Sequence, residues 1–295
     1  MFKKESQDRR SLMFPLVGLL VVVGSVAGGF LWGGGHFSVL WQPGEFLIIG
    51  GAAFGSFLIA NPPSVVIGTL KALPRIFGKP RYDKKSYTEA LAMMYSFFKL
   101  GKSKGNMALE PHIEAPANSD IFKRFPLITK NHEAMDFMCG YLRLLTFGSP
   151  EPHEIESVID AELEGIEHEK TAYSDALNRV ADATPGLGIV AAVLGVIHTM
   201  GAITEPPEVL GELIGAALVG TFFGVLTAYG FIAPLASAVA NVMNPEQEYL
   251  SVIKAGLMGH IEGYAPQVSV EFARKTLPPE VRPSFAEVEK ICAEL

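Results

Sequence analysis

Hydrophobic residues are concentrated in two parts of the chain, and each part is long enough to form two membrane-spanning helices. The first part holds apolar runs at residues 14–32 and about 46–60, and the second holds runs at about 185–203 and 213–235. A helix of ~20 apolar residues, rising ~1.5 Å per residue, crosses the ~30 Å hydrocarbon core of a bilayer. The pattern therefore predicts four transmembrane helices, here called spans one to four.

The polar stretches also show helical periodicity. Residues 87–102 place Leu91, Met94 and Phe98 three to four positions apart, as on one face of an amphipathic helix. Helical patterns also cover residues 121–147 with an interruption near Pro126, residues 151–182, and the tail after Pro245. The predicted fold class is therefore all-α: an integral membrane protein with four transmembrane helices, a large helical cytoplasmic insertion between spans two and three, and a C-terminal cytoplasmic tail.

Lysine and arginine define the predicted topology, because both are missing from residues 11–70 and from residues 180–253. Cytoplasmic loops hold most of the Lys and Arg of a membrane protein, so each gap should begin and end inside the cell. The predicted organisation is residues 1–12, the cytoplasmic N-terminus; 13–60, spans one and two; 61–184, a cytoplasmic domain; 185–236, spans three and four; and 237–295, the cytoplasmic tail.

The basic start of the chain allows a second interpretation of span one. A basic segment such as residues 3–10, followed by an apolar run, is also the pattern of a cleaved signal peptide. The apolar run is long for a signal peptide, and Gly24 and Gly28 have the spacing of helix packing. A membrane span is the favoured interpretation.

Composition agrees with a membrane protein and argues against other classes. The mean hydropathy is +0.28 and the net charge is −7, whereas a nucleic-acid partner would favour a basic surface. Cys139 and Cys292 lie far apart in predicted cytoplasmic segments, where thiols stay reduced. The sequence contains no enzyme motif, metal-ligand spacing or nucleotide loop, so we expect no catalytic residue, no metal and no cofactor.

The spans contain small residues at helical spacing but no central charged residue. Glycines such as Gly188 and Gly224 allow the backbones of two helices to approach closely. A proton relay generally needs an ionisable group, so a conducting complex would take its carboxylate from another polypeptide. The polar group offered here is the Thr221 hydroxyl in span four, although a hydroxyl bonded to its own helix backbone is the simpler interpretation.

Two prolines lie at the predicted inner ends of spans three and four. Pro185 is expected to open span three, because proline is favoured in the first turn of a helix. Pro234 removes a backbone hydrogen bond near the inner end of span four, so we expect the helix to bend there.

Short motifs run through nearly the whole chain. They are Gln-Pro-Gly-Glu at residues 42–45, Gly-Thr-Leu-Lys-Ala-Leu-Pro at 68–74, Met-Ala-Leu-Glu at 107–110, Pro-Gly-Leu-Gly-Ile-Val-Ala-Ala-Val-Leu-Gly-Val at 185–196, Val-Gly-Thr-Phe at 219–222, Ala-Tyr-Gly-Phe-Ile-Ala-Pro-Leu at 228–235, Gly-Tyr-Ala-Pro at 263–266 and Arg-Pro-Ser-Phe at 282–285. Together they resemble the motility protein A family of flagellar stator subunits, within the MotA/TolQ/ExbB proton channel superfamily.

The resemblance implies a stator subunit in the bacterial inner membrane that conducts protons together with motility protein B (MotB) and exerts torque on the rotor. It implies a homopentamer around two chains of that partner, whose membrane aspartate supplies the carboxylate missing from the spans. Thr221 and Ala192 would line the ion path, and Pro185 and Pro234 would couple ion passage to movement.

The resemblance also implies a cytoplasmic contact with the rotor protein FliG. A basic and an acidic residue eight positions apart make that contact in the family, and they correspond to Lys102 and Glu110. Many relatives carry arginine at the basic position, so the forked guanidinium is lost here, and the nearby Lys104 could share the task.

Three alternatives remain open at this point. A sodium-driven stator is disfavoured because sodium-driven relatives carry threonine where this chain has Ala192, and a methyl group cannot coordinate sodium. An ExbB/TolQ-type energiser of outer-membrane processes would have three spans rather than four. A membrane scaffold that conducts nothing is the third alternative.

Overall fold

The structure is a computed structural model that describes residues 2–78, 81–148 and 151–295, with side chains from residue 14 onwards. Every regular element in these ranges is helical, so the all-α prediction is confirmed for the described part of the chain. The side chains of the basic segment at residues 3–10 lie outside the described residues.

Fourteen α-helices follow one another along the described residues. They are α1 (Phe2–Trp32), α2 (Phe37–Leu40), α3 (Pro43–Ala60), α4 (Pro63–Ala72), α5 (Lys84–Lys104), α6 (Glu110–Glu114), α7 (Asp120–Lys123), α8 (Pro126–Thr129), α9 (His132–Phe147), α10 (Pro152–Gly201), α11 (Pro207–Thr227), α12 (Ala233–Ile261), α13 (Pro266–Thr276) and α14 (Phe285–Ala293). Short 3₁₀ turns join some of them, and a π-helical turn at Ala228–Ile232 joins α11 to α12.

Four helical stretches in the described part of the chain are long and apolar enough to cross a membrane, which confirms the predicted number of spans. They are Phe14–Trp32, Phe37–Ala60, Pro152–Gly201 and Pro207–Ile261. The last two have 50 and 55 residues, so at ~1.5 Å per residue they are much longer than the hydrocarbon core is thick.

Two predicted helix boundaries are wrong. Pro185 does not open a helix but lies inside α10, and Pro245 lies inside α12 rather than before a separate helix. The missing N–H and the clash of the proline ring normally weaken a helix interior. In both places the helix continues on each side of the proline, so it is longer than the sequence pattern indicated.

The chain forms two compact units. The first contains Met1–Lys79 and Glu169–Met243, and therefore α1–α4, α11 and parts of α10 and α12. Large apolar side chains cover much of its surface: Leu20 is 71% exposed, Ile59 90% and Leu218 64%. An apolar surface of this kind is stable against lipid or against another protein chain.

The second unit contains Pro80–His168 and Asn244–Leu295 and has a well-developed core. Helix α5 provides much of it, since its apolar side chains are almost fully buried with residues of α9, α12 and α13. The Asp83 carboxylate caps α5 by accepting a hydrogen bond from the Ser86 N–H. Cys139 and Cys292 are free and buried here, and burial raises the pKa of each thiol to about 11.

Candidate functional site

Helices α10 and α11 pack backbone against backbone in the first unit. A Cβ atom placed on Gly188 would lie 2.8 Å from the Gly220 carbonyl oxygen and 3.0 Å from the Gly224 Cα. Further along, a Cβ atom on Gly195 would lie 2.7 Å from the Ala217 Cβ. Real Cβ atoms do not tolerate such distances, so the small residues of α10 and α11 serve close helix packing, as predicted. Added Cβ atoms on Gly24 and Gly28 of span one would meet no atom within 4 Å, so these glycines show no such contact within the described chain.

The predicted ion-path residues Ala192 and Thr221 lie on this same helix pair. The Ala192 backbone nitrogen would be 3.1 Å from a Cβ atom on Gly220, the residue that precedes Thr221. Both side chains are half-buried. Hydroxyl and methyl groups therefore line adjoining parts of α10 and α11.

The Thr221 hydroxyl differs from those of Thr184 and Thr199 in the first unit. Thr184 donates to the Val180 carbonyl at 2.6 Å and Thr199 to the Gly195 carbonyl at 2.9 Å. Thr221 makes no such bond to its own helix within the described part of the chain. A hydrogen bond from the Thr221 hydroxyl to its own helix backbone is thus not supported, and this hydroxyl remains available to a ligand or a partner.

A carboxylate that the sequence analysis overlooked lies against these helices. Glu45, in the first turn of α3, directs its side chain towards Gly195 and Gly220 rather than towards the start of its own helix. Its Oε2 atom is buried and has no hydrogen-bond partner in the described structure. The spans do lack a central charge, but the acidic group at the edge of span two reaches the α10–α11 pair.

The two prolines predicted to couple ion passage to movement are placed differently. Pro234 lies two residues after the π-helical turn at Ala228–Ile232, so the backbone is distorted close to the proline whose missing N–H interrupts the hydrogen-bond series. Pro185 lies in the continuous helix α10, three residues before the Gly188 contact with α11.

The residues predicted to contact the rotor are exposed in the second unit. Lys102 and Lys104 lie in the last turn of α5, and Glu110 begins α6. Gly105, at a φ of +83°, turns the chain between them. The Lys102 Nζ donates to the Gly263 carbonyl oxygen at 2.7 Å, whereas Lys104 has no ion pair within the described part of the chain.

His260 was missed by the sequence analysis and lies behind this surface. Its ring stacks on Phe98 with centroids 4.7 Å apart and an interplanar angle of 9°. Both ring nitrogens are buried without a described partner. Burial, together with the nearby Lys102 charge, lowers the pKa of His260 to about 4, so the imidazole is neutral at cellular pH. An isolated histidine in a helical pattern gives no local signal of this environment.

Comparison with known proteins identifies the class first. Residues 130–251 match the MotA/TolQ/ExbB proton channel family, and residues 16–105 match the family described as motility protein A N-terminal. Motility protein A of Salmonella typhimurium is 41% identical over 94% of each chain, and that of Escherichia coli is 42% identical over the same shares. Chemotaxis protein LafT of Vibrio parahaemolyticus is 36% identical over 96% of this chain and 99% of its own.

Solved structures show the same fold. The structure of C. jejuni MotAB matches with a TM-score of 0.73 and 19% identity, covering 92% of this chain and 98% of that one. The flagellar MotAB stator complex from Bacillus subtilis matches with a TM-score of 0.65 and 23% identity, covering 87% and 92%. The chain is thus similar throughout to subunits of this one class. It belongs to the motility protein A family.

Proposed function

We propose that this chain is the stator subunit of a bacterial flagellar motor that conducts protons together with motility protein B and exerts torque on the rotor. The observation that carries the proposal is the 41–42% identity to motility protein A of two bacteria over 94% of the chain. The match to a proton channel family and the likeness to two MotAB structures support it. The chain has no catalytic role in this proposal.

In the proposed topology the chain lies in the inner membrane with both termini in the cytoplasm. Residues 61–184 and 237–295 are cytoplasmic, and residues 13–60 and 185–236 contain the spans. The absence of Lys and Arg from residues 11–70 and 180–253 supports this orientation, because basic residues are retained on the cytoplasmic side.

The proposed ion path runs beside Thr221 and Ala192, next to the membrane aspartate of motility protein B. The Thr221 hydroxyl supports this role, since it is not bonded to its own helix in the described structure. Ala192 offers a methyl group where a sodium site would need an oxygen ligand. We therefore favour protons over sodium as the conducted ion.

Torque would arise from repacking of α10 against α11 when the partner aspartate gains or loses a proton. One charge that moves through ~100 mV releases ~2.3 kcal/mol, which is several times the thermal energy. This free energy is enough to shift a helix pair such as α10 and α11 from one packing arrangement to another. Pro185 beside the Gly188 contact and Pro234 beside the π-helical turn are the proposed points of backbone adjustment.

The rotor contact is proposed at Lys102, Lys104 and Glu110, facing charged residues of FliG. Their exposure supports this role. The Lys102 ammonium group donates one hydrogen bond to the Gly263 carbonyl and keeps two further N–H donors and its charge, and the exposed Lys104 can share the contact. Exposed ion pairs are weak and screened by salt, so such a contact can form and break at each step.

The complex is proposed to be a homopentamer around two copies of motility protein B. The apolar side chains on the surface of the first unit support burial against further chains as well as lipid. An ExbB/TolQ-type function is disfavoured by the four helical stretches that can cross a membrane.

A motility assay tests the proposal. The chain is expressed in a strain that lacks its own stator subunits, with and without a motility protein B partner. Swimming restored only when both are present supports the proposal. The proposal would be refuted if cells swam without any partner, or if they failed to swim although the partner was present and correctly localised.

A further inference from the structure

The side chain of Glu45 is placed against the ordinary expectation for its position. It is the third residue of α3, where a glutamate commonly turns back to bond the N–H of the residue before the helix. Its carboxylate instead reaches the packed pair α10 and α11. Helix capping therefore does not explain the position of this carboxylate.

Glycines make the space that the carboxylate occupies. A Cβ atom placed on Gly220 would lie 2.7 Å from the Glu45 Oε2, and one placed on Gly195 would lie 3.4 Å from the Oε1. The same Gly220 position adjoins the Ala192 backbone and precedes Thr221. Glu45 thus lies at the part of the helix pair where the ion path is proposed.

Within the described residues, the buried Glu45 Oε2 has no hydrogen-bond partner. Gly195 and Gly220, the residues of α10 and α11 that its carboxylate approaches, carry no side chain that could compensate its charge. An ionised carboxylate is costly to bury without a partner, so it gains a proton or meets a cation. A carboxyl group in this situation exchanges protons readily if water can reach it, and ionisable groups at membrane depth are commonly functional.

We propose that Glu45 is a proton-binding residue of this chain on the ion path, at the outer side of the aspartate contributed by motility protein B. Its carboxylate accepts a proton from the outer aqueous side and passes it to the partner aspartate, and its own charge is thereby restored. The outer position follows from the start of α3, which adjoins the outer loop in the proposed topology. This inference rests on the proposed function, and it adds a second carboxylate to a path otherwise supplied by the partner.

The test uses motors whose only stator contains this chain and its partner. Glu45→Gln keeps the shape of the side chain but cannot titrate, whereas Glu45→Asp keeps the carboxylate. Glu208→Gln removes an exposed carboxylate from the first turn of α11 and is the matched control. Rotation is followed on single motors at low and high load, and the number of fluorescently labelled stator units in each motor is counted.

At low load each step waits for a proton, so Glu45→Gln should lower the speed at least several-fold with an unchanged number of units. The torque at high load should fall much less, Glu45→Asp should recover part of the speed, and Glu208→Gln should match the unsubstituted chain. A Glu45→Gln motor at full speed would overturn the inference, as would a loss of speed explained by fewer units. If the unsubstituted chain rotates no motor, or follows a sodium gradient, the proposed function itself fails.

Discussion

Gly188 of α10 and Gly224 of α11 lie in direct backbone contact. A Cβ atom on Gly188 would be 3.0 Å from the Gly224 Cα, and one on Gly224 would be 2.8 Å from the Gly188 Cα. The neighbouring atoms belong to the backbone, so a side chain can be accommodated only if the two helices separate. This contact holds together the helix pair that contains Ala192 and Thr221 and that the Glu45 side chain of α3 reaches.

Gly224→Ala should therefore weaken the packing of α10 against α11. Overpacking of a tight contact typically costs about 1–3 kcal/mol, which should lower the melting temperature of the purified complex and reduce swimming. Gly211→Ala is the matched control on the same helix, because no atom lies within 4 Å of its added Cβ. The control should be neutral or slightly stabilising. Equal effects of the two substitutions would contradict the role of the contact.

His260 should make the second unit sensitive to acid. Its pKa is 6.5 in the unfolded reference and about 4 in the folded chain, so the unfolded chain binds more protons between these values. Stability is therefore complete above pH ~6.5 and falls as the pH drops to about 4, by at most about 3 kcal/mol. The protection factors of peptides from α5 and α12, which correct for the intrinsic pH dependence of amide exchange, should fall over this range.

His260→Phe keeps an aromatic ring against Phe98 and removes the titration. It should abolish the pH dependence of exchange that belongs to His260, whereas His168→Phe, at an exposed position, should leave it unchanged. An unaltered pH dependence in His260→Phe would show that another group is responsible.

Pro185→Leu should abolish swimming while the protein still inserts and assembles with its partner. The substitution restores a backbone N–H inside α10 beside the Gly188 contact, and the helix loses its point of adjustment. Pro245→Leu, inside α12, is the matched control and should leave most motility intact. Normal swimming by Pro185→Leu would exclude the coupling role.

Charge reversal should weaken the contact with the rotor. Glu110→Lys and Lys104→Glu should each lower torque. An exposed ion pair contributes up to about 1 kcal/mol, so we expect the loss of torque to be partial. A complementary charge reversal on FliG should restore part of it, and the loss should depend on ionic strength. Glu154→Lys, another exposed carboxylate in the second unit, is the control. If torque were unchanged in both substituted chains, the proposed electrostatic contact with the rotor would be excluded.

The four spans and the all-α class could be predicted because they depend on hydrophobicity and charge along the chain. The course of α10 could not be predicted, because a proline at the edge of an apolar run normally marks a helix start, whereas Pro185 lies inside a continuous helix. Glu45 and His260 were missed for a different reason. The local sequence of Glu45 is typical of a helix-capping glutamate, and that of His260 is typical of a solvated histidine. Only the packing of helices distant in sequence determines where their side chains lie.

In the proposed mechanism, proton flow through this chain and its partner drives rotation. The most direct measurement is the rotation of single motors, in cells with no other stator, while a protonophore collapses the proton gradient at a fixed sodium gradient. We expect rotation to stop with the protonophore and to continue when external sodium is removed. Rotation that persists without the proton gradient, or that requires sodium, would contradict the claim.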